Sequence, residues 1–283
     1  MKTNLRGIDL FYDDAGRGRA IVFLHGYPFN RSMWREQMDF LSTRDYRCIA
    51  PDLRGLGETS AKLPFVADAI SVEPQRQAEA PGTFTTMSEM ARDVAGLLDH
   101  LKIESAMIVG LSMGSYVALE FIHLFGARVQ ALVLAGARAQ AADEAEKRSR
   151  EEQAQRVLAE GMGFAVDSIL QNLLASQTFV DKHDVIERVR EMMLGTDPRG
   201  ATAAQRGMAL RRDFADNLHE IDVPTLIIAG REDGVRKPED AEFLHHRIPN
   251  SQLEIIDDAG HLMNMEQPEA FNETLWRFLE RLP

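Results

Sequence analysis

The sequence has little cysteine and no long uninterrupted hydrophobic run. Its one thiol, Cys48, cannot form an internal disulfide or a cysteine-rich metal site. The longest apolar stretch, residues 106–119, is interrupted by small and polar residues from Ser112 to Tyr116, so it is too short to span a membrane as a helix. The first residues lack the apolar segment of a signal peptide. We therefore expect a cytoplasmic protein.

Positive charge is also in short supply. Lys and Arg total 32 against 44 Asp and Glu, for a net charge of −12. Nucleic acids and anionic membranes bind basic surfaces, so neither is expected as a partner. The adjacent His245 and His246 are accompanied by no second metal-binding motif. No metal and no other cofactor is therefore predicted, and the sequence carries no signal for an oligomeric state.

What is present is an alternation of short apolar runs and helical patterns. Predicted strands cover residues 20–24, 46–50, 106–109, 129–135, 223–229 and 252–256. Predicted helices among them cover residues 34–41, 87–101, 115–124, 238–246 and 268–282. Strands that alternate with helices indicate an α/β fold with a mostly parallel, doubly wound sheet.

One long segment, residues 139–219, shows helical patterns only. Predicted helices there cover residues 142–160, 164–175, 183–194 and 201–214. We expect residues 1–138 and 220–283 to form the α/β core and residues 139–219 to form an inserted helical cap. Clustered apolar residues of the cap are expected to roof the active site and set acyl specificity, among them Ile169, Leu170, Leu173, Leu174, Met192 and Met193.

Two further segments have unusual compositions. Residues 143–152 are dense in charge and predict a solvent-exposed helix face with pairs such as Glu144–Arg148. Residues 62–86 hold three prolines and show little periodicity, which predicts a long loop. The apolar first half of that loop makes it a candidate for an additional lid.

The segment Gly110-Leu-Ser-Met-Gly114 matches the pattern G-x-S-x-G. It follows a predicted strand and opens an apolar helix, which is the context that a nucleophile elbow requires. Glycines at both ends would let neighbouring backbone approach the sharp turn closely. Ser112 is therefore the candidate nucleophile, lifted above the sheet at the start of the helix.

A serine hydroxyl needs a general base, and the base needs an acid to orient it. In this architecture the acid and then the histidine follow the serine along the chain. His261 and Asp233 each lie in a loop directly after a predicted strand, at the sheet edge where such folds place their chemistry. We predict His261 as the base and Asp233 as the acid, with Glu232 as the alternative acid. Asp257 and Asp258 lie too near His261 in sequence to reach behind its ring.

Acyl transfer also needs two donors for the developing oxyanion. The N–H of Met113 follows the nucleophile, and the N–H of Tyr27 lies in the loop His25-Gly-Tyr-Pro28 after the first predicted strand. Pro28 has no N–H and cannot donate. His25, Gly26 and Pro28 of this loop, with Leu262 beside the predicted base, are assigned to substrate binding.

These motifs together resemble the α/β-hydrolase fold superfamily with a helical cap. The matching segments occur in the expected order: His25-Gly-Tyr-Pro28, Pro51-Asp-Leu-Arg-Gly-Leu-Gly57, Gly110-Leu-Ser-Met-Gly114, Gly230-Arg-Glu-Asp233 and Gly260-His261. The chain is similar to bacterial carboxylesterases, to 3-oxoadipate enol-lactonase-like proteins and to cofactor-free haloperoxidases or perhydrolases. It departs from the family pattern at Thr59, where serine is usual, and in the length of residues 62–86.

The resemblance implies a hydrolase that cleaves small-molecule esters or lactones through a serine acyl-enzyme. Perhydrolysis is an alternative, because Pro28 resembles the perhydrolase group. Carbon–carbon bond hydrolysis is another, although such enzymes commonly carry Trp where this chain has Leu262. A non-enzymatic binding protein on the same fold is the third, since fold alone does not settle function. Dehalogenases and epoxide hydrolases of this fold need a carboxylate where Ser112 stands, which excludes both.

Overall fold

A single eight-stranded sheet organises the molecule, which was analysed as a computed structural model that describes residues 1–59 and 84–282. The strands, β1 to β8 in chain order, cover Lys2–Leu5, Ile8–Gly16, Arg19–Leu24, Tyr46–Pro51, Ala106–Leu111, Val129–Ala135, Thr225–Gly230 and Ser251–Ile256. Their order across the sheet is β1-β2-β4-β3-β5-β6-β7-β8. From β4 to β8 every neighbouring pair is parallel, so the predicted α/β class with a mostly parallel sheet is confirmed.

The central strands are buried along their whole length. Every residue of β5 and of β7 is buried, because helices cover both faces of the sheet there. Their sequences are accordingly continuous apolar runs rather than alternating ones. This is why the runs at 106–109 and 223–229 were recognisable as strands.

The first two strands, β1 and β2, are absent from the sequence-based prediction. They form an antiparallel edge, in which β1 pairs with β2 and β2 pairs with β4. Only alternate residues such as Ile8, Leu10 and Tyr12 are buried, and the other face remains partly exposed. Such a strand lacks the continuous apolar run by which the central strands were identified.

The longer helices were predicted well in position and less well at their ends, whereas two helices of four residues were missed. They cover, as α1 to α11, Arg35–Leu41, Met87–His100, Met113–Phe125, Glu144–Glu160, Met162–Leu173, Thr178–Asp181, His183–Leu194, Pro198–Ala209, Pro238–Arg247, Met263–Glu266 and Pro268–Leu279. Helix α8 begins at Pro198, which the prediction placed outside it, because proline suits the first position of a helix and Asp197 caps the N-terminus. It ends at Ala209 rather than at 214.

The segment between β6 and β7 is helical, as expected. All of residues 136–224 are described, and they contain helices α4 to α8 and no strand. The boundaries 1–138, 139–219 and 220–283 for core and cap stay a prediction. Across the rest of the described chain as well, no helix combines the length and the apolar character needed to cross a membrane.

The predicted long loop at 62–86 lies outside the described residues as far as position 83. Its last residues, 84–86, are described and touch the helical segment. The Thr85 N–H donates to the carbonyl oxygen of Ala203 in α8 at 2.9 Å. Thr86 then caps α2 and exchanges hydrogen bonds with Glu89, as in a capping box.

Candidate active site

Ser112 lies in the sharp turn between β5 and α3. Its backbone dihedrals are φ 56° and ψ −114°, a strained conformation for a residue other than glycine. The flanking glycines make the turn sterically feasible. A Cβ at Gly110 would lie 2.3 Å from the Gly114 carbonyl oxygen, and one at Gly114 would lie 2.0 Å from the Leu24 carbonyl oxygen. The local geometry is therefore that of the predicted elbow.

His261 and Asp233 form a buried pair beside this turn. Nδ1 of His261 lies 2.7 Å from Oδ2 of Asp233, and the two side chains are 2% and 0% exposed. The other carboxylate oxygen of Asp233 accepts the N–H groups of Val235 at 2.8 Å and Arg236 at 2.7 Å. Both oxygens are thus engaged, so the carboxylate is fixed behind the imidazole ring.

The opposite ring nitrogen, Nε2 of His261, is the atom that would act as the predicted base. It is enclosed and has no hydrogen-bond partner within residues 1–59 and 84–282. His261 and the half-buried Ser112 line one cavity. The structure therefore brings all three predicted catalytic residues to the carboxyl edge of the sheet.

The alternative acids lie elsewhere. The exposed carboxylate of Glu232 accepts hydrogen bonds from the N–H and the hydroxyl of Ser176, which lower its pKa. Asp257 pairs with Arg231 on the surface. Asp258 is exposed, and its carbonyl oxygen accepts from Gln267. None of these carboxylates contacts the ring of His261.

The loop that carries His261 is held by residues that the sequence analysis missed. The N–H of His261 donates to the Leu173 carbonyl oxygen at 2.8 Å. Glu266 is fully buried and accepts from the N–H of Gly260 at 2.9 Å, the N–H of Ala175 at 2.7 Å and the hydroxyl of Thr178 at 2.7 Å. Burial raises the pKa of this carboxyl group. Its hydrogen bonds connect the histidine loop to the helical segment.

The two predicted oxyanion donors belong to the elbow itself and to the loop after β3. Met113 is the first residue of α3, where N–H groups have no partner inside the helix. Tyr27 lies in the loop after β3, the strand that pairs with β5. Tyr27 also lines the cavity with Ser112 and His261. This placement is compatible with the predicted role of both amides.

None of the four residues assigned to substrate binding is among the residues that line the cavity, and three of them have contacts within the protein. Both ring nitrogens of the buried His25 are engaged, by the Gly26 carbonyl oxygen at 2.8 Å and by the Leu53 N–H at 2.9 Å. Burial lowers the pKa of His25, so this ring stays neutral and orients the loop. The Pro28 carbonyl oxygen accepts from Thr196, and Leu262 is fully buried. The assignment of His25, Gly26, Pro28 and Leu262 to substrate binding therefore stays a prediction.

The cavity has a volume of about 490 Å³. Its apolar lining includes Ile169, Leu173 and Met208, of which the first two belong to the predicted cap cluster. Met192 and Met193 do not line it, because α7 packs them elsewhere in the core. Much of the remaining wall is polar and includes Arg138, Glu146, Arg150, Asn172, Gln205 and Arg236.

The comparisons with known proteins agree with this arrangement. The profile described as "alpha/beta hydrolase fold" matches residues 19–268. The chain belongs to the α/β-hydrolase fold family. A thermophilic esterase from Thermogutta terrifontis superposes on this hydrolase with a TM-score of 0.89 and 36% sequence identity, covering 99% of this chain and 97% of that chain.

Two curated relatives of the hydrolase carry different names. A 3-oxoadipate enol-lactonase 1 from Acinetobacter baylyi is 30% identical over 100% of this chain and 97% of its own length. A non-heme haloperoxidase from Rhodococcus erythropolis is 30% identical over 97% of each chain. Enol-lactonases and haloperoxidases are both among the groups to which the sequence motifs indicated a resemblance.

The polar wall of the hydrolase corrects the prediction for residues 143–152. Glu144 is exposed and pairs with Lys147 at 2.8 Å rather than with Arg148. Glu146 and Arg150 form the other pair, at 2.7 Å, and both line the cavity. The i,i+4 spacing of these charges was visible in the sequence, but the face of α4 that turns inward depends on its packing against α8.

Proposed function

We propose that this hydrolase cleaves carboxylic esters or lactones through a covalent intermediate on Ser112. The observation that carries the proposal is the buried hydrogen bond between Asp233 and His261, since His261 lines the same cavity as Ser112. A fixed carboxylate behind the ring holds the imidazole in the tautomer with a bare Nε2, the form that accepts a proton. The names of the esterase and enol-lactonase relatives support the same chemistry.

The first half-reaction forms the acyl-enzyme. Ser112 Oγ attacks the carbonyl carbon of the substrate while Nε2 of His261 removes the hydroxyl proton. The carbonyl π electrons move onto oxygen, and the N–H groups of Tyr27 and Met113 stabilise that oxyanion. When the tetrahedral intermediate collapses, the bond to the alcohol oxygen breaks and His261 returns its proton to the leaving group.

The second half-reaction regenerates the enzyme. A water molecule gives a proton to Nε2 of His261 and attacks the acyl carbon, and the Ser112 oxygen leaves with that proton. In a lactone the alcohol and the acid belong to one molecule, so the product is a hydroxy acid, or a keto acid when an enol is released. Esters and lactones therefore require the same catalytic groups.

Substitution of the nucleophile tests the proposal. We expect Ser112→Ala to lower kcat for 4-nitrophenyl esters by roughly 10⁴-fold, because no acyl-enzyme can form. A fluorophosphonate probe should label the wild-type chain at Ser112 alone, as read by peptide mass spectrometry. Labelling at another serine, or near-normal activity in Ser112→Ala, would contradict the assignment.

A matched pair of variants tests the acid within the same experiment. Asp233→Asn should lower kcat roughly 10²- to 10⁴-fold, because an amide favours the wrong imidazole tautomer. Glu232→Gln, one residue away on the surface, should retain wild-type kcat. The reverse outcome would show that the acid is Glu232.

A further inference from the structure

The polar side of the cavity carries more positive charge than its acids balance. Arg150 and Arg236 both line the cavity, and their side chains are 14% and 13% exposed. Burying a guanidinium group costs desolvation free energy unless an opposite charge pairs with it. The partners of these two arginines therefore need to be identified. The whole chain carries −12, which makes a positive wall in the cavity beside Ser112 unexpected.

The carboxylate of Glu146 forms ion pairs with three arginines. Arg211 contacts both of its oxygens, at 2.9 and 2.7 Å. Arg150 donates to Oε1 at 3.0 and 2.7 Å, and Arg236 donates to the same oxygen at 3.4 Å. Because the bidentate contact with Arg211 already neutralises Glu146, the cluster keeps a net charge of about +2, one unit from each of the other arginines.

The other acids around the cavity are engaged elsewhere. The exposed Asp143 caps α4 and accepts the Glu146 N–H at 2.7 Å. Asp233 holds His261, and Asp240 lies 3.8 Å from Arg138. The remaining partners of Arg150 and Arg236 include uncharged groups such as the Gln205 side chain and the Tyr116 hydroxyl. No described acid beyond Glu146 therefore forms a close ion pair with either arginine, although the charge of Asp240 also acts on Arg236.

A second, independent observation lies on the same wall. The hydroxyl of Tyr27 is enclosed and forms no hydrogen bond of ordinary geometry within residues 1–59 and 84–282, although the Gln205 side chain lies near it. Tyr27 lines the cavity and is 9% exposed. Burial raises the pKa of this phenol, so it stays protonated and can donate. A buried donor without an acceptor is costly, and an anionic ligand oxygen in the cavity would satisfy it.

We propose that the substrate carries a carboxylate apart from the bond that is cleaved, and that Arg150, Arg236 and the Tyr27 hydroxyl bind it. The inference rests on the proposed function, since it names the substrate class of the same site. Guanidinium groups suit a carboxylate because two parallel N–H groups match its two oxygens. The hydrolase would then act on half-esters of dicarboxylic acids, on esters of hydroxycarboxylic acids or on carboxylate-bearing lactones.

Matched substrate pairs test the proposal. The first pair places the charge on the acyl side. It consists of the 4-nitrophenyl monoester of adipic acid, which keeps a free carboxylate, and the 4-nitrophenyl ester of adipamic acid, which has an uncharged amide in its place. The second pair places the charge on the alcohol side: 4-acetoxybenzoate and 4-acetoxybenzamide. For at least one pair we expect kcat/KM to be roughly 10- to 100-fold higher for the anionic substrate, the range of a charge-assisted contact.

Arginine variants then connect the selectivity to the cluster. Arg150→Gln should reduce the anionic-to-neutral ratio of kcat/KM about 10-fold or more, and Arg150→Lys should restore part of it by returning the charge. Arg156→Gln is the control, because Arg156 lies on the same helix but is exposed and pairs with Glu160. It should leave the ratio unchanged.

Direct binding makes the test independent of catalysis and of variant folding. Calorimetry on the wild-type protein should show binding of adipate and none of adipamide at equal concentration. Equal binding or no binding of the two, with no preference for either anionic ester, would overturn the proposal. If anionic compounds are preferred but Ser112→Ala retains activity, the serine mechanism fails while the carboxylate site stands. If hydrolysis depends on Ser112 but shows no charge preference, the carboxylate site fails while the serine mechanism stands.

Discussion

Gly136, the residue after β6, shows how closely the backbone surrounds the imidazole of His261. Its φ of +52° lies in the left-handed region that favours glycine. A Cβ there would lie 2.9 Å from Cε1 and 3.1 Å from Nδ1 of His261. Gly136 therefore acts as a positioning residue, since any side chain would push the ring away from Asp233 or from Ser112.

We expect Gly136→Ala to lower kcat/KM for 4-nitrophenyl esters by roughly 10-fold or more, because a small displacement of the base disrupts proton transfer. Stability should fall by about 1–2 kcal/mol from the left-handed backbone. The control is Gly163→Ala, since Gly163 lies in α5 with no atom within 4 Å of the added Cβ. That variant should keep its activity. Unchanged kcat/KM in Gly136→Ala would show that the ring tolerates the added methyl group.

At the scale of elements, α5 performs two tasks. Its residues Ile169, Asn172 and Leu173 line the cavity, and the Leu173 carbonyl oxygen accepts the N–H of His261. The same helix thus forms part of the cavity wall and holds the loop of the proposed base. Because Ile169 lines the cavity and Met192 and Met193 do not, a substitution at Ile169 is the better test of substrate preference.

Ile169→Phe should shift the hydrolase towards short acyl chains, because the larger ring takes up space inside the cavity. The ratio of kcat/KM for 4-nitrophenyl octanoate to that for the acetate should fall by about 10-fold. Ile186→Phe is the matched control, since Ile186 is similarly half-buried on α7 but does not line the cavity. If both variants leave the chain-length profile unchanged, α5 does not set specificity.

At the scale of the whole molecule, Glu146 joins three segments of the chain. It lies on α4 and binds Arg211, which follows α8, and Arg236, which follows β7. Burial would raise the pKa of Glu146, but the hydrogen bond from Arg211 and the charges of Arg150 and Arg211 lower it to about 2. The ionised carboxylate therefore stabilises the contact between the helical segment and the sheet.

The sign of the pH dependence follows from that shift. The folded pKa lies below the ordinary value of 4.5, so below that pH the unfolded chain binds a proton that the folded chain does not. The stabilisation is present in full above pH 4.5 and is lost as the pH falls towards 2. We expect Glu146→Gln to cost roughly 3 kcal/mol at neutral pH and much less in acid.

Urea denaturation at about pH 7, 4 and 3 measures this difference between wild type and Glu146→Gln. Glu144→Gln, on the exposed side of the same helix, serves as the control and should match the wild type at each pH. A difference between wild type and Glu146→Gln that stays constant across this range would mean that the carboxylate does not titrate as described.

Residue order along the chain was sufficient to predict six of the eight strands of the sheet and to select Ser112, Asp233 and His261 as candidates. Each of these residues follows a strand of the parallel part of the sheet, and parallel strands bring such loops to one edge. The apolar runs of β3 to β7 are local signals, since burial on both faces removes polar residues from them. The antiparallel strands β1 and β2 lack that signal and were missed.

Only the tertiary structure decided which side chains surround the candidate site. Arg150, Gln205 and Arg236 come from α4, α8 and the loop after β7, and no spacing rule relates segments so far apart. The same holds for Glu266 and Gly136, whose contacts with the histidine loop and its ring depend on how the helices pack on the sheet. Motifs specify chemistry that is local in the chain, whereas the wall of a cavity is assembled from distant segments by packing.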